Sequence, residues 1–265
     1  MQVSVVVTTY NKLDYLRKVL DCLALQVRLP DEVIVADDGS GPETGDYVRL
    51  MAEDCSFRLL HVWHEDRGFR AARIRNKAVK ASTGDYVIFL DGDCLVNRHF
   101  ISDHMRLAEK GAFVQGKRVL IAEARSADIA PGDVDSLPSM LRMALSGGVS
   151  NMHHLIRLPF FPSSRKVSHR GIKTCNMGVF SEDIYAVNGF NERFVGWGRE
   201  DSEFAARLFS LGLVRKENPF MAACYHLWHK ENAREGLEQN DAMLQEVISS
   251  GEVRCLDGIE KLSGG

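Results

Sequence analysis

The chain has no excess of charge of one sign: its 265 residues carry 33 Lys plus Arg against 36 Asp plus Glu. That balance excludes the strongly basic footprint of a general nucleic-acid binder, so no nucleic-acid partner is expected and any anionic partner must be met locally. The six cysteines, Cys22, Cys55, Cys94, Cys175, Cys224 and Cys255, form no C-x-x-C pair and no dense framework. Zinc and disulfide readings are both weak on that pattern, and a reducing cytosol suits it. Long apolar runs are missing as well. The stretch 86–90 is among the longest, far below the roughly 18 residues that span a bilayer. The first residues, Met1-Gln2-Val3-Ser4-Val5, lack the basic region and cleavage pattern of a signal peptide. The expectation is a cytoplasmic protein whose membrane contact, if any, is peripheral at the inner face.

What is present is an ordinary globular composition, 45% apolar and 26% charged. It is large enough to bury a core without staples. Residues 3–8 are β-branched and almost wholly apolar, as in a strand buried on both faces of a parallel sheet. Leu13, Leu16, Leu20 and Leu23 then recur at helical steps, with Asn11 as the expected N-cap. Strands are predicted over 32–36, 57–62 and 86–90, and a helix over 70–81. This alternation predicts a mostly parallel, Rossmann-like half over residues 1–115, with ligands outside the carboxyl ends of the strands.

Beyond residue 115 the pattern loosens. A Gly, Pro and Ser-rich stretch at 130–164 reads as irregular, short strands are predicted near 174–180, and helices over 200–211 and 232–249. A single domain is expected, with residues 116–230 as a mixed acceptor-binding and catalytic half and 231–265 as a C-terminal helical segment.

Polar clusters fall at the predicted strand ends. Side chains at i and i+2 of a strand share a face, so Asp91 and Asp93 can point two carboxylates at one hard cation, and a solvated turn is the competing reading. Asp37 and Asp38 follow a buried strand and can accept bonds from a nucleobase or a ribose hydroxyl, unless they only make a turn. Glu200 and Asp201 sit at a predicted helix N-terminus, where the dipole favours ionised carboxylates. Gly196 and Gly198 give that loop freedom to close over a ligand, and Trp197 can stack on a sugar or fill a core. His226 and His229 are three apart, so one can join the aspartates on a metal while the other supports it.

These motifs carry a resemblance. Val5-Val6-Val7-Thr8-Thr9-Tyr10-Asn11, Asp37-Asp38-Gly39-Ser40, the run 73–76, Gly84-Asp85-Tyr86 and Asp91-Gly92-Asp93 look like the successive signatures of family 2 glycosyltransferases. Gly196-Trp197-Gly198-Arg199-Glu200-Asp201 and His226-Leu227-Trp228-His229 resemble the C-terminal part of galactosyltransferases and of bacterial chondroitin polymerases. The resemblance covers most of the chain, except roughly 120–170 and the last 30 residues.

It implies a GT-A fold and an inverting, Mn²⁺- or Mg²⁺-dependent transfer from a nucleotide sugar, usually a UDP-sugar, to a glycan or glycolipid in cell-surface polysaccharide or lipopolysaccharide synthesis. By this resemblance Thr8, Thr9, Tyr10, Asn11, Asp37, Asp38, Arg67, Arg73, Asn76, Asp91, Gly92 and Trp197 serve the nucleotide sugar. Asp93, Asp91 and a histidine, His229 before His226, hold the metal. Asp201 is the base and Glu200 binds a sugar hydroxyl. Arg199 departs from the small residue common in animal galactosyltransferases, and contact with an anionic acceptor or a capping role is expected of it.

The segment 141–173 contains six basic residues and no acidic one, so it either contacts anionic lipid or forms a solvated loop. Two other enzyme classes fit less well. A sugar-phosphate nucleotidyltransferase would carry a Gly-rich loop with Arg and Lys after the first strand, and a dehydrogenase a G-x-G-x-x-G there. A dead glycan-binding module is disfavoured by the intact Asp91, Asp93 and Asp201.

Overall fold

The computed structural model describes residues 1–230 and 236–261. The chain opens with β1 (Val3–Thr9), α1 (Leu13–Ala24), β2 (Glu32–Asp37), α2 (Pro42–Asp54), β3 (Arg58–Trp63), α3 (Ala71–Ala81) and β4 (Tyr86–Asp91). Next come β5 (Cys94–Val96), α4 (Phe100–Leu107), β6 (Ala112–Gln115), β7 (Lys117–Ile121), α5 (Glu123–Ser126), α6 (Leu137–Leu145), β8 (Val149–Ser150) and β9 (Ser164–Lys166). The remainder holds β10 (Asn176–Phe180), α7 (Ser181–Ala186), α8 (Glu200–Ser210), β11 (Val214–Glu217), β12 (Ala223–His226) and α9 (Leu237–Ser250).

The main sheet has the order β3-β2-β1-β4-β10-β6-β11-β9. Only β10 and β9 run against the other strands, so the sheet is mostly parallel, as the strand and helix alternation requires. Its central strands are buried on both faces. Val5, Val7, Val33, Val35, Ile88 and Leu90 pack under α1, while Val6, Ile34, Val87 and Phe89 meet α3 and α8. Phe89 lies edge-on to Phe190 at 5.2 Å, and Phe190 stacks on Phe204 at 4.3 Å. Removing a ring from such a packed trio costs about 3–5 kcal/mol.

A smaller sheet, β5-β12-β7-β8, brings strands from the second half beside the end of β4. The expected division near residue 115 falls at the end of β6, and strands from both sides of it share the main sheet.

Several local features differ from the sequence reading. Asn11 is not the N-cap of α1: it sits one residue further out at φ 47°, with its N–H on Ser40 Oγ at 2.8 Å, and Lys12 takes the cap position. Asparagine tolerates that left-handed geometry. The stretch 130–164 is not wholly irregular, because α6 lies within it, capped by Ser136, whose hydroxyl accepts the Ser139 N–H at 3.3 Å. Helix α2 carries no strong apolar stripe and buries only Thr44 and Val48, so periodicity alone misses it. The predicted helix over 232–249 is α9, which begins at Leu237; residues 231–235 lie outside the described residues.

Candidate active site

The register of the parallel strands assembles the site. Thr8 pairs with Asp91 and Thr9 with Asp37, so the carboxyl ends of β1, β2 and β4 lie side by side. Gly92 folds back onto β1, its N–H on Thr8 O at 2.7 Å; a Cβ there would come within 3.0 Å of that oxygen.

Two residues expected on the nucleotide are turned into the protein instead. Asp37 is fully buried, with Oδ1 accepting the Ser40 N–H at 2.8 Å and Oδ2 against His61 Nε2 at 2.9 Å. Asn76 bonds Phe190 O and N–H, both at 2.8 Å, and pins α3 to the chain before α8. Both satisfy buried polar groups, which would otherwise cost about 1–3 kcal/mol each.

Asp38 is nearly buried as well, against His64 Nε2 at 2.6 Å and the Arg70 N–H at 2.8 Å. Thr9 is buried and Thr8 is half-buried. Tyr10 stays 46% exposed, its hydroxyl donating to Asp66 at 2.8 Å. Asp66, which takes that bond, escapes sequence reasoning. Gly39 permits its approach, because φ is 106° and a Cβ would strike the Asp66 backbone at 2.6 Å. Arg67 points outward to Glu65 at 2.8 Å, and Arg73 lies 3.9 Å from Glu192.

At the end of β4 the chain turns into β5, which pairs antiparallel with β12 so that Cys94 faces His226 across the ladder. Asp93, His226 and His229 thereby converge, with one ligand atom from each within 4.8 Å of the others. His229 Nε2 is 3.2 Å from Asp93 Oδ2 and His226 Nε2 is 3.6 Å from Oδ1. His229 Nδ1 lies 2.9 Å from Lys230 O, which only a protonated Nδ1 can satisfy, leaving the Nε2 lone pair for an ion. Burial lowers the pKa of His226, favouring the neutral imidazole a metal needs.

One carboxylate and two imidazoles fit a divalent ion. Asp91 lies outside this group and turns to Arg75. Lys12 Nζ, 3.8 Å from Asp93 Oδ2, brings a cation to the same spot that the motif reading had not singled out.

Behind the metal group, Arg75 ties the carboxylates together. Its guanidinium lies 3.3 Å from Glu200 Oε1, 3.3 Å from Asp201 Oδ1 and 3.4 Å from Asp91 Oδ1, and Nε reaches Thr8 Oγ1 at 3.3 Å. Thr174 adds its N–H to Asp201 Oδ2 at 3.1 Å and its hydroxyl to Oδ1. The Glu200 carboxyl is pushed up to about 7 by burial and by the Asp201 charge, against the pull of Arg75. Asp201 keeps 23% of its side chain exposed, Glu200 only 9%.

The loop before α8 strings together left-handed residues, Gly196 at φ 80°, Gly198 at 102° and Arg199 at 79°. Helix α9 holds it from outside: Asn240 Nδ2 donates to Gly198 O at 2.9 Å, and Arg199 pairs with Asp241. Arg199 thus ties the loop to α9. Trp197 is half-buried within it.

The basic segment is also partly neutralised. Arg157 holds the buried Asp103 at 2.6 Å, Arg165 pairs with Glu109 at 2.6 Å and Lys166 with Glu217 at 2.9 Å. In the same segment Leu145 is 91% and Phe160 87% exposed.

This arrangement matches known proteins. The sequence profile of glycosyl transferase family 2 covers residues 4–141, and that of the N-terminal domain of galactosyltransferase covers 160–230. The chain belongs to glycosyl transferase family 2. It is 28% identical to validoxylamine A glucosyltransferase of Streptomyces hygroscopicus subsp. limoneus, over 86% of this family 2 chain and 53% of that one. It is 26% identical to the chondroitin synthase of Escherichia coli, over 79% and 32%. The chain thus spans about half or less of the length of these relatives.

Among solved structures, S. aureus TarS in complex with UDP superposes with a TM-score of 0.64 at 17% identity, covering 95% of this chain and 65% of that one. A mannosyltransferase from Pyrobaculum calidifontis in complex with GDP-Man and Mn²⁺ gives 0.60 at 20% identity, covering 95% and 69%. The fold is GT-A. No helix among the described residues is long and apolar enough to cross a membrane.

Proposed function

We propose that this family 2 domain transfers a sugar from a UDP-sugar to a hydroxyl of a glycan or glycolipid, with inversion and with the help of a divalent cation, in cell-surface polysaccharide or lipopolysaccharide synthesis. The observation that carries the reading is the convergence of Asp93, His226 and His229 at the end of β4, beside the carboxylates gathered by Arg75. A UDP complex of a protein with this fold, and a Mn²⁺ complex of another, support the donor and the ion. The names of the sequence relatives, a glucosyltransferase and a polysaccharide synthase, support a saccharide acceptor.

A divalent ion held by Asp93, His226 and His229 would neutralise the departing diphosphate. Lys12 adds a positive charge at the same place, and Tyr10 and Asp38 border the nucleoside. The acceptor oxygen attacks the anomeric carbon directly, so no covalent intermediate on the protein is required. Asp201 takes the proton, because it is the more exposed of the two acids and Thr174 fixes its orientation. Glu200, deeper and partly protonated near neutrality, holds a sugar hydroxyl.

The test is UDP release from UDP-sugars in the presence of glycan acceptors. Asp201→Asn should lower transfer by about 10² to 10⁴ while UDP and Mn²⁺ binding persist. If Glu200→Gln is the inactive variant and Asp201→Asn is not, the two roles exchange; if both variants remain active, the base lies elsewhere.

A second reading concerns the membrane. Leu145 and Phe160, exposed beside Arg142 and Arg106, support shallow contact with an anionic lipid surface, with Arg106 lying over the Phe160 ring at 5.1 Å.

A further inference from the structure

Three of the six cysteines meet in one place, although no spacing in the sequence announces it. Cys94 opens β5, Cys175 directly precedes β10 and Cys224 lies in β12. Their sulfur atoms all lie within 4.8 Å of one another, and all three residues are buried. All are free thiols. Three sulfurs each about 2.3 Å from a central ion stand roughly 4 Å apart, so the observed grouping closes around a cation with little movement. Thiolate ligands select soft ions, whereas the Asp93, His226 and His229 group one residue away offers the harder oxygen and nitrogen donors.

We propose that Cys94, Cys175 and Cys224 form a binding site for one thiophilic cation, such as Zn²⁺, Cd²⁺ or Cu⁺, distinct from the oxygen and nitrogen group at Asp93. Binding forms three sulfur–metal bonds and releases three thiol protons to solvent, so a divalent ion leaves a net charge of −1. Arg118, across the ladder from Cys224, supplies a compensating cation. It also lines, together with Cys175, a cavity of about 210 Å³ that opens to solvent. That cavity gives the ion its route, since Cys175 is the one residue of the three that is not wholly buried, at 5% exposure.

The probe is Cd²⁺ added to the reduced, metal-free protein, read by thiolate-to-cadmium charge-transfer absorbance and by X-ray absorption at the bound ion. With a single equivalent of Cd²⁺ per chain, which the thiolates take ahead of the harder Asp93 group, three sulfur neighbours around the ion are expected. His229→Ala and Cys55→Ser should leave the absorbance intact, while Cys175→Ala and Cys224→Ala should each weaken Cd²⁺ binding at least tenfold. Fewer than three sulfurs around the ion, or an undiminished band in both alanine variants, overturns the site. The sulfur count on the unaltered protein decides the matter even if an alanine variant fails to fold. Neither readout depends on transfer activity, so the proposal stands or falls apart from the glycosyltransferase reading.

Discussion

His229 presents its Nε2 to Asp93 Oδ2 at 3.2 Å, across 136 positions of sequence, and does so with its other ring nitrogen held by the Lys230 carbonyl. A ring oriented in this way is ready to accept an ion without first reorganising. Asp93→Ala should therefore abolish the Mn²⁺-dependent rise in melting temperature that UDP produces, and His229→Ala should reduce it less, because His226 remains. Thermal shifts with UDP, Mn²⁺ and EDTA check this; an unchanged Mn²⁺ dependence in Asp93→Ala would falsify the metal assignment.

Arg75 is the sole cation within bonding distance of Glu200 and Asp201 among the described residues. Arg75→Met would leave three neighbouring carboxylates uncompensated, at a cost of about 3–5 kcal/mol. The loss should be largest in mildly alkaline buffer and smaller in acid, where the carboxylates gain protons. Denaturant melts at two pH values decide it, and an equal loss at both would argue that Arg75 contributes packing alone.

Much of this was legible in the sequence, for identifiable reasons. Strands buried in a parallel sheet read as near-continuous apolar runs, so β1, β2 and β4 declare themselves, and the polar clusters at their ends mark the ligand side of the sheet. Arg75, Lys12 and Thr174 were not legible as site residues, because their roles depend on partners brought from other strands and helices. Asp37 and Asn76 misled for the converse reason: a polar residue in a motif reads the same whether it serves a ligand or a buried backbone. The thiol cluster and the α9 clamp likewise exist only through tertiary placement.

The Glu200 carboxyl carries a pH signature. Its ordinary value is 4.5 and the folded protein raises it to about 7, so between those values the folded state keeps a proton that the unfolded chain has released. The stability tied to that proton is complete at pH 4.5 and below, and is lost as pH rises through 7. Glu200→Gln cannot lose the proton. In EDTA, the melting temperature of the unaltered protein should fall relative to that of Glu200→Gln between pH 5 and 8, and parallel curves would refute the raised value.

For the membrane reading, the exposed Leu145 and Phe160 matter more than the charges already paired. The unaltered protein should co-sediment with vesicles containing phosphatidylserine, and Leu145→Glu with Phe160→Glu should abolish this. Arg165→Glu with Lys166→Glu should have a smaller effect, since both side chains already face acids. Absence of co-sedimentation in the unaltered protein ends that reading and leaves a solvated loop.

Helix α9 packs on α8, and its Asn240 and Asp241 hold the loop that carries Trp197. If that loop must be seated for the donor to bind, the apparent affinity is the intrinsic one multiplied by the seated fraction. A change on α9 that halves this fraction weakens donor binding about twofold without altering a single donor contact. On that condition, selection has a graded control over donor occupancy at Asn240 and Asp241, set apart from the residues proposed to carry out the chemistry.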